Sequence, residues 1–146
     1  VREATFNALG SLGVVEGATV LDLFAGSGAL GIEALSRGAA TATFVDDDAR
    51  ALAVVRANLA STGLGDRATV VRGDAVRHVA GAAHADLALL DPPYAFTDEQ
   101  WAALLGALDA DVAVIESDRE VPVPEPWQVL RTKGYGGTVV LLARRG

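Results

Sequence analysis

With 146 residues, the chain has room for one domain of ordinary size. Hydrophobic residues at 51% and charged residues at 21% exclude a disordered polymer, and no apolar run approaches the roughly 18 residues of a membrane span. A net charge of −7 argues against an extended nucleic-acid surface, and the absence of cysteine excludes disulfides, thiolate metal sites and a cysteine nucleophile.

Val1 to Leu12 sets Ala4, Leu9 and Leu12 on one side with Phe6 nearby, the pattern of an amphipathic helix. Thr19 to Phe24 (TVLDLF) reads as a buried strand, and Ala29 to Arg37 as a helix closed by Gly38. Thr41 to Asp46 is a second strand. A helix follows over Ala49 to Ser61, with Leu52, Val55 and Leu59 on one face and Gly63 past its end. Ala68 to Arg72 is a third strand, with a short helix near Val76. Asp86 to Leu90 is a fourth strand, Asp98 to Leu108 a helix and Asp111 to Ile115 a fifth strand. Pro122, Pro124 and Pro126 then exclude a regular helix. Trp127 to Thr132 and Thr138 to Ala143 are two strands around Gly134, Gly136 and Gly137, a hairpin. Repeated βα units followed by a hairpin predict an α/β fold. Its sheet is mostly parallel, with helices on both faces and an antiparallel strand near one edge. No linker or repeat divides the chain, so residues 1–146 are read as a single domain.

No charged-then-apolar leader opens the sequence, and a cytoplasmic location is expected. The chain contains no methionine and starts at Val1, within the first helical pattern, so a further segment is expected upstream. The two histidines, His78 and His84, lack the i, i+4 spacing of a helical metal pair, and no metal is expected.

Between the first strand and the first following helix lies Gly26-Ser27-Gly28-Ala29-Leu30-Gly31, which fits G-x-G-x-x-G in strand–turn–helix context. Such glycines let the backbone turn sharply and let a ligand approach the main chain. Asp46 ends the second strand about 20 residues on, the position from which a carboxylate reaches a ribose diol. The fingerprint alone does not separate a dinucleotide from other adenosyl ligands. The first four strands, however, end on or near Asp22, Asp46, Asp74 and Asp91. Their field opposes a pyrophosphate and suits a sulfonium with an α-ammonium group, as in S-adenosyl-L-methionine. Asp46 is assigned to the ribose. Asp48 is expected to cap the next helix, as Asp47 also suits its positive end. Asp74 is open to two readings, an acceptor for an adenine amine or another helix cap.

The fourth strand ends in Asp91-Pro92-Pro93-Tyr94. Two prolines fix two φ angles and hold their predecessors extended, giving a stiff turn. Asp91 and the Pro92 carbonyl are two acceptors beside the flat face of Tyr94. They suit a planar base with an exocyclic amine, whose hydrogens both acceptors take while Tyr94 stacks on the ring. Carbon-5 methylation of cytosine needs a thiolate that this chain lacks, so an amine is the consistent target.

Val20-Leu-Asp-Leu-Phe-Ala-Gly-Ser-Gly-Ala-Leu-Gly31, Asp91 to Tyr94 and the opening Val1-Arg-Glu-Ala-Thr-Phe-Asn7 together resemble the RsmD family of bacterial 16S ribosomal RNA guanine-N2 methyltransferases. The resemblance spans essentially the whole chain, including Lys133-Gly-Tyr-Gly136. It implies a class I, Rossmann-like methyltransferase fold with seven strands, the last antiparallel. It implies S-adenosyl-L-methionine contacts from Asp22, Phe24, Ala25, Gly26, Ser27, Gly28, Asp46, Asp74 and Ala75, and base handling by Asp91, Pro92, Pro93 and Tyr94. The implied partner is 16S ribosomal RNA or the small ribosomal subunit, approached by a monomer. Family members usually carry a basic segment ahead of the opening helix. Within this sequence Arg2, Arg131, Lys133, Arg144 and Arg145 are candidates for RNA contact or plain surface charge. Three alternatives stand beside this reading: an amino-methyltransferase acting on DNA or transfer RNA, an NAD-dependent oxidoreductase using the same glycine loop, and a cofactor-binding or assembly module without chemistry.

Overall fold

Near-continuous apolar runs in the central strands give the sheet two buried faces, and helices cover both. A computed structural model describes all residues from Val1 to Gly146. The helices are α1 (Arg2–Leu12), α2 (Ala29–Ser36), α3 (Ala49–Thr62), α4 (Ala75–Ala80) and α5 (Asp98–Ala107). The strands are β1 (Thr19–Leu23), β2 (Thr41–Asp46), β3 (Ala68–Arg72), β4 (Ala85–Leu90), β5 (Ala110–Ser117), β6 (Trp127–Tyr135) and β7 (Thr138–Arg145). They form one seven-stranded sheet in the order β3-β2-β1-β4-β5-β7-β6. β1 to β5 are parallel, and β7 runs antiparallel between β5 and β6.

One core packs Phe6 and Leu9 of α1, Ala34 and Leu35 of α2, and Val55 and Leu59 of α3 against Val20, Phe44 and Leu89. The opposite core packs Val79 of α4 and Trp101, Leu104 and Leu105 of α5 against Leu21, Leu23, Leu90 and Ile115. Full burial of a large apolar side chain contributes about 1.5–3 kcal/mol, so these two layers fix the helices on the sheet. Local signals agree with the packing. Asp48 caps α3 by accepting from the Arg50 N–H at 3.0 Å, and Thr97 and Gln100 form a reciprocal capping box on α5. The Arg67 guanidinium donates to the carbonyls of Leu35 and Ala39, satisfying the end of α2 and the turn after it.

The expected elements are all present, two strands end for end and the others with ends shifted by a few residues. The clearest shift decides geometry. β1 ends at Leu23, and Phe24 leaves the strand with φ 58°, a left-handed conformation unusual for a bulky residue. The strand order reverses between the parallel neighbours β1 and β4, which opens the crevice where open α/β sheets hold ligands beyond their strand ends. No helix is long and apolar enough to cross a membrane.

Candidate active site

The glycine loop is fixed from three sides. Asp46, at the end of β2, accepts from the Gly26 N–H at 3.0 Å with one carboxylate oxygen and from the Asp48 N–H at 2.9 Å with the other. Asn58 of α3 donates to the Ser27 carbonyl at 2.9 Å. The Ala25 N–H reaches the Val45 carbonyl at 3.0 Å. Gly26 and Gly28 have φ 57° and 81°, which other residues adopt only with strain. Gly31 is required for a different reason. A Cβ there would lie 2.8 Å from Phe44 Cζ and 2.9 Å from Asp22 Oδ2, so its absence lets α2 settle on β2.

Asp22 departs from the sequence-based expectation of a carboxylate on the open rim. It sits one residue inside β1, on the same face as Val20. It is 2% exposed, and it accepts from the Gly31 N–H at 3.0 Å. Burial first, then Asp91 and Asp46, push its carboxyl well above the usual range, while the bond to Gly31 pulls it down. Asp22 therefore braces the start of α2 beneath the cavity.

Beyond the strand ends lies an open cavity of about 620 Å³, lined by Phe24, Asp46, Asp47, Asp74, Phe96 and the Asp91–Tyr94 turn. A smaller recess beside it adds Val45, Gly73 and Ala75. Of the loop residues, only Phe24 lines these spaces with its side chain. Ala25 and Gly28 are buried, the Gly26 N–H is held by Asp46 and the Ser27 carbonyl by Asn58. Asp74 fulfils the capping reading by accepting from the Arg77 N–H at 3.0 Å with Oδ2, and it still borders the cavity. The Phe24 ring meets Phe96 edge-on at 5.3 Å, and Phe96 meets the buried Trp101 at 5.1 Å. This aromatic chain supports the segment after Tyr94 from below.

The Asp91–Tyr94 turn is stiff, as two prolines require. The Phe96 N–H closes on the Pro93 carbonyl at 2.9 Å, whereas the carbonyl of Pro92, a residue lining the cavity, accepts no hydrogen bond within the chain. An acceptor left unpaired beside a cavity is available to a ligand donor or water. Asp91 opens onto the cavity beside it. Tyr94 is 53% exposed and is tethered by its hydroxyl to Thr138 Oγ1 at 3.1 Å, at the start of β7. The cavity wall thus offers several carboxylates, one open carbonyl and aromatic faces, and no Lys or Arg side chain lines it. That donor-poor, anionic set fits a cationic ligand with hydroxyl and amine donors and opposes a pyrophosphate.

A family profile described as Conserved hypothetical protein 95 matches residues 1–144. The chain belongs to this family, the RsmD family. It is 40% identical to YlbH of Bacillus subtilis (strain 168), named as a candidate rRNA methyltransferase, over 100% of this chain and 85% of the relative. It is 36% identical to ribosomal RNA small subunit methyltransferase D of Escherichia coli (strain K12), over 99% of this chain and 76% of that protein. Among solved structures, a conserved hypothetical protein of Streptococcus pyogenes matches with TM-score 0.86 and 34% identity, over 100% of this chain and 96% of the other. At 16% identity, the magnesium protoporphyrin IX methyltransferase of Synechocystis PCC 6803 shares the fold with TM-score 0.80, over 99% of this chain and 78% of the other. The seven-stranded sheet with its antiparallel β7 is the class I methyltransferase architecture.

Sequence reasoning missed Glu116, Asn58 and Thr138. Glu116 was findable, because it follows Ile115 at the end of the fifth strand, and strand ends selected the other carboxylates. Asn58 and Thr138 act through tertiary proximity and carry no local signal. The basic candidates separate by position. Arg2 pairs with Glu33 at 3.4 Å and Arg145 with Asp109 at 3.4 Å. Arg144 aligns with Val112, toward the far end of β5, whereas Lys133 aligns through Val140 with Glu116 and faces the cavity end of the sheet. At the opposite end of β4 and β5, a cavity of about 210 Å³ is bordered by Asp86 and Asp111 and contains none of the motif residues. There His84 bonds Asp109 at 2.7 Å and approaches Asp111 at 3.2 Å.

Proposed function

We infer that this chain transfers a methyl group from S-adenosyl-L-methionine to the exocyclic N2 amine of a guanine in 16S ribosomal RNA. The observation that carries this reading is the open Pro92 carbonyl beside Asp91 and Tyr94, at the mouth of an anionic cavity. Two acceptors and an aromatic plate fit a base amine. A relative named ribosomal RNA small subunit methyltransferase D supports RNA as the class of substrate.

The cofactor, when bound, supplies an electrophilic methyl group on sulfur. This chain's residues would hold it through the glycine-loop main chain and Phe24, with Asp46 taking ribose hydroxyls and Asp74 an adenine amine. Asp46 already spends one lone pair of each oxygen on the loop, and a carboxylate has about four acceptor sites, so capacity remains for a diol. Asp91 and the Pro92 carbonyl hold the two amine hydrogens, drawing the nitrogen lone pair out of conjugation. Tyr94 stacks on the base, worth about 1–3 kcal/mol. Orientation of the two reactants supplies up to about 7–11 kcal/mol of the barrier. Lys133 at the cavity end of the hairpin is placed to meet phosphate.

Calorimetry with S-adenosyl-L-methionine and with NAD, followed by transfer of labelled methyl to 16S ribosomal RNA, transfer RNA and duplex DNA, tests the reading. Binding of the first cofactor alone and label in 16S RNA alone are expected. Tight NAD binding, or label confined to DNA or transfer RNA, would overturn it.

A further inference from the structure

Parallel pairing of β4 and β5 aligns Leu90 with Ile115, so the next residues, Asp91 just past β4 and Glu116 near the end of β5, stand side by side. The register brings their carboxyl groups within hydrogen-bonding reach of each other. A bond between two carboxyl groups requires that one of them hold a proton. We propose that Asp91 and Glu116 act as a proton-sharing pair, in which Glu116 sets Asp91 as the acceptor for the proton lost by the methylated amine. This rests on the methyl-transfer reading and deepens it.

The surroundings favour this arrangement. Burial first, then the charge and hydrogen bond of Asp91, push Glu116 up to about 7. Burial raises Asp91 too, while its contact with Glu116 draws it down, so the two carboxyls titrate as a pair that holds one proton between them. The groups around the pair are mostly acidic or apolar. Buried Asp22 lies beneath on β1, and Asp46 lies at the end of β2. On β7, Glu116 and Ser117 align with Val140 and Val139. Arg119, three residues on, is occupied by Asp98 at 2.6 Å and by the Phe96 carbonyl, with Asp118 at 3.5 Å.

An isolated aspartate near pH 4 is a weak proton acceptor at neutral pH, whereas a pair that takes its first proton near pH 7 is matched to the task. The amine nitrogen forms the new N–C bond, and the C–S electron pair stays on the departing thioether sulfur. One N–H proton moves to an Asp91 oxygen, is shared with Glu116, and passes to solvent at the open rim. Below pH 7 the pair already holds its proton, and Glu116 donates to Asp91, weakening it as an acceptor. Turnover should therefore rise with pH through about 7 and level above it.

The test is the pH–rate profile of methyl transfer at saturating cofactor for wild type, Glu116→Gln and Glu116→Ala, with carboxyl-carbon NMR of ¹³C-labelled glutamate. Wild type should rise about tenfold per pH unit below 7, the slope of a single proton. In Glu116→Gln the limb should vanish between pH 6 and 8.5, with the plateau about tenfold lower, because the amide donates to Asp91 at every pH. Glu116→Ala should also lose the limb, with cofactor KM unchanged in both variants. One glutamate resonance should titrate near pH 7 in wild type and be missing in both variants. An unchanged limb in Glu116→Gln, or a Glu116 resonance titrating in the ordinary carboxylate range, would overturn the pairing role alone. If wild type transfers no methyl at any pH, the methyl-transfer reading falls, and the role of Glu116 in it falls too. The resonance near pH 7 would still report the carboxyl pair itself.

Discussion

Asp46→Ala separates a cofactor contact from a merely structural aspartate. In the folded chain the carboxylate accepts from the N–H groups of Gly26 and Asp48. Both lie at the open end of the sheet, where water can replace it. Each lost bond is worth about 0.5–1.5 kcal/mol, so about 1–3 kcal/mol of stability should disappear, lowering the thermal midpoint by about 3–10 °C. The ribose contact is charge-assisted and made within the cavity, at about 1.5–3 kcal/mol, so S-adenosyl-L-methionine affinity should fall about 10–100-fold. Loosening of Gly26 acts in the same direction. Asp46→Asn keeps one acceptor oxygen and should lie between the two in both measurements. Calorimetric titration and a thermal scan on the same samples check this. Unchanged affinity in a folded Asp46→Ala protein would refute the ribose role, and a lower midpoint without an affinity change would leave Asp46 only its brace on the loop.

Gly31→Ala should lower stability by about 1–3 kcal/mol, because its Cβ meets the Phe44 ring and the Asp22 carboxylate; a thermal midpoint equal to wild type would refute that close packing. Tyr94→Phe loses only the hydroxyl bond to Thr138 and should transfer methyl within a few-fold of wild type. Tyr94→Ala should cost about 1–3 kcal/mol in turnover efficiency through lost stacking, and the reverse ranking would contradict the plate role. His84 is raised above its ordinary 6.5 by Asp109, then by Asp111. A raised folded-state value gives stability that is present below about pH 6.5 and lost as pH rises through the raised value. His84→Gln should therefore lower the midpoint at pH 6 more than at pH 9, and an equal shift at both would refute the ion pairs.

The elements were legible because period-2 and period-3.6 patterns rarely conflict in this chain. Thr41–Asp46 and Ala68–Arg72 match the expected strands end for end. The glycine loop, Asp46 and the Asp91–Tyr94 turn were legible because each couples a local backbone constraint to a polar group. Asp22 shows where such reading stops. Strand-end position suggested the rim, but the side-chain parity set by Val20 turns Asp22 toward Gly31, inside the core. Phe24 shows a second limit. Its apolar, β-favouring side chain extends the strand pattern, yet the tertiary fit against Phe96 selects a left-handed backbone. Glu116 shows a third limit: its strand-end position was legible, but its pairing was not. Its partner Asp91 is 25 positions away, and only the β4–β5 register brings the two carboxyls together.

The most direct test is to identify the methylated nucleoside. Small ribosomal subunits from cells lacking this chain would be incubated with the purified protein and S-adenosyl-L-methionine, and the 16S RNA digested for mass analysis. A single new N2-methylguanosine is the predicted result, abolished by Asp91→Ala with cofactor binding retained. A methyl group on a ribose oxygen, on cytosine carbon 5 or on adenine N6, or full transfer by Asp91→Ala, would contradict the account.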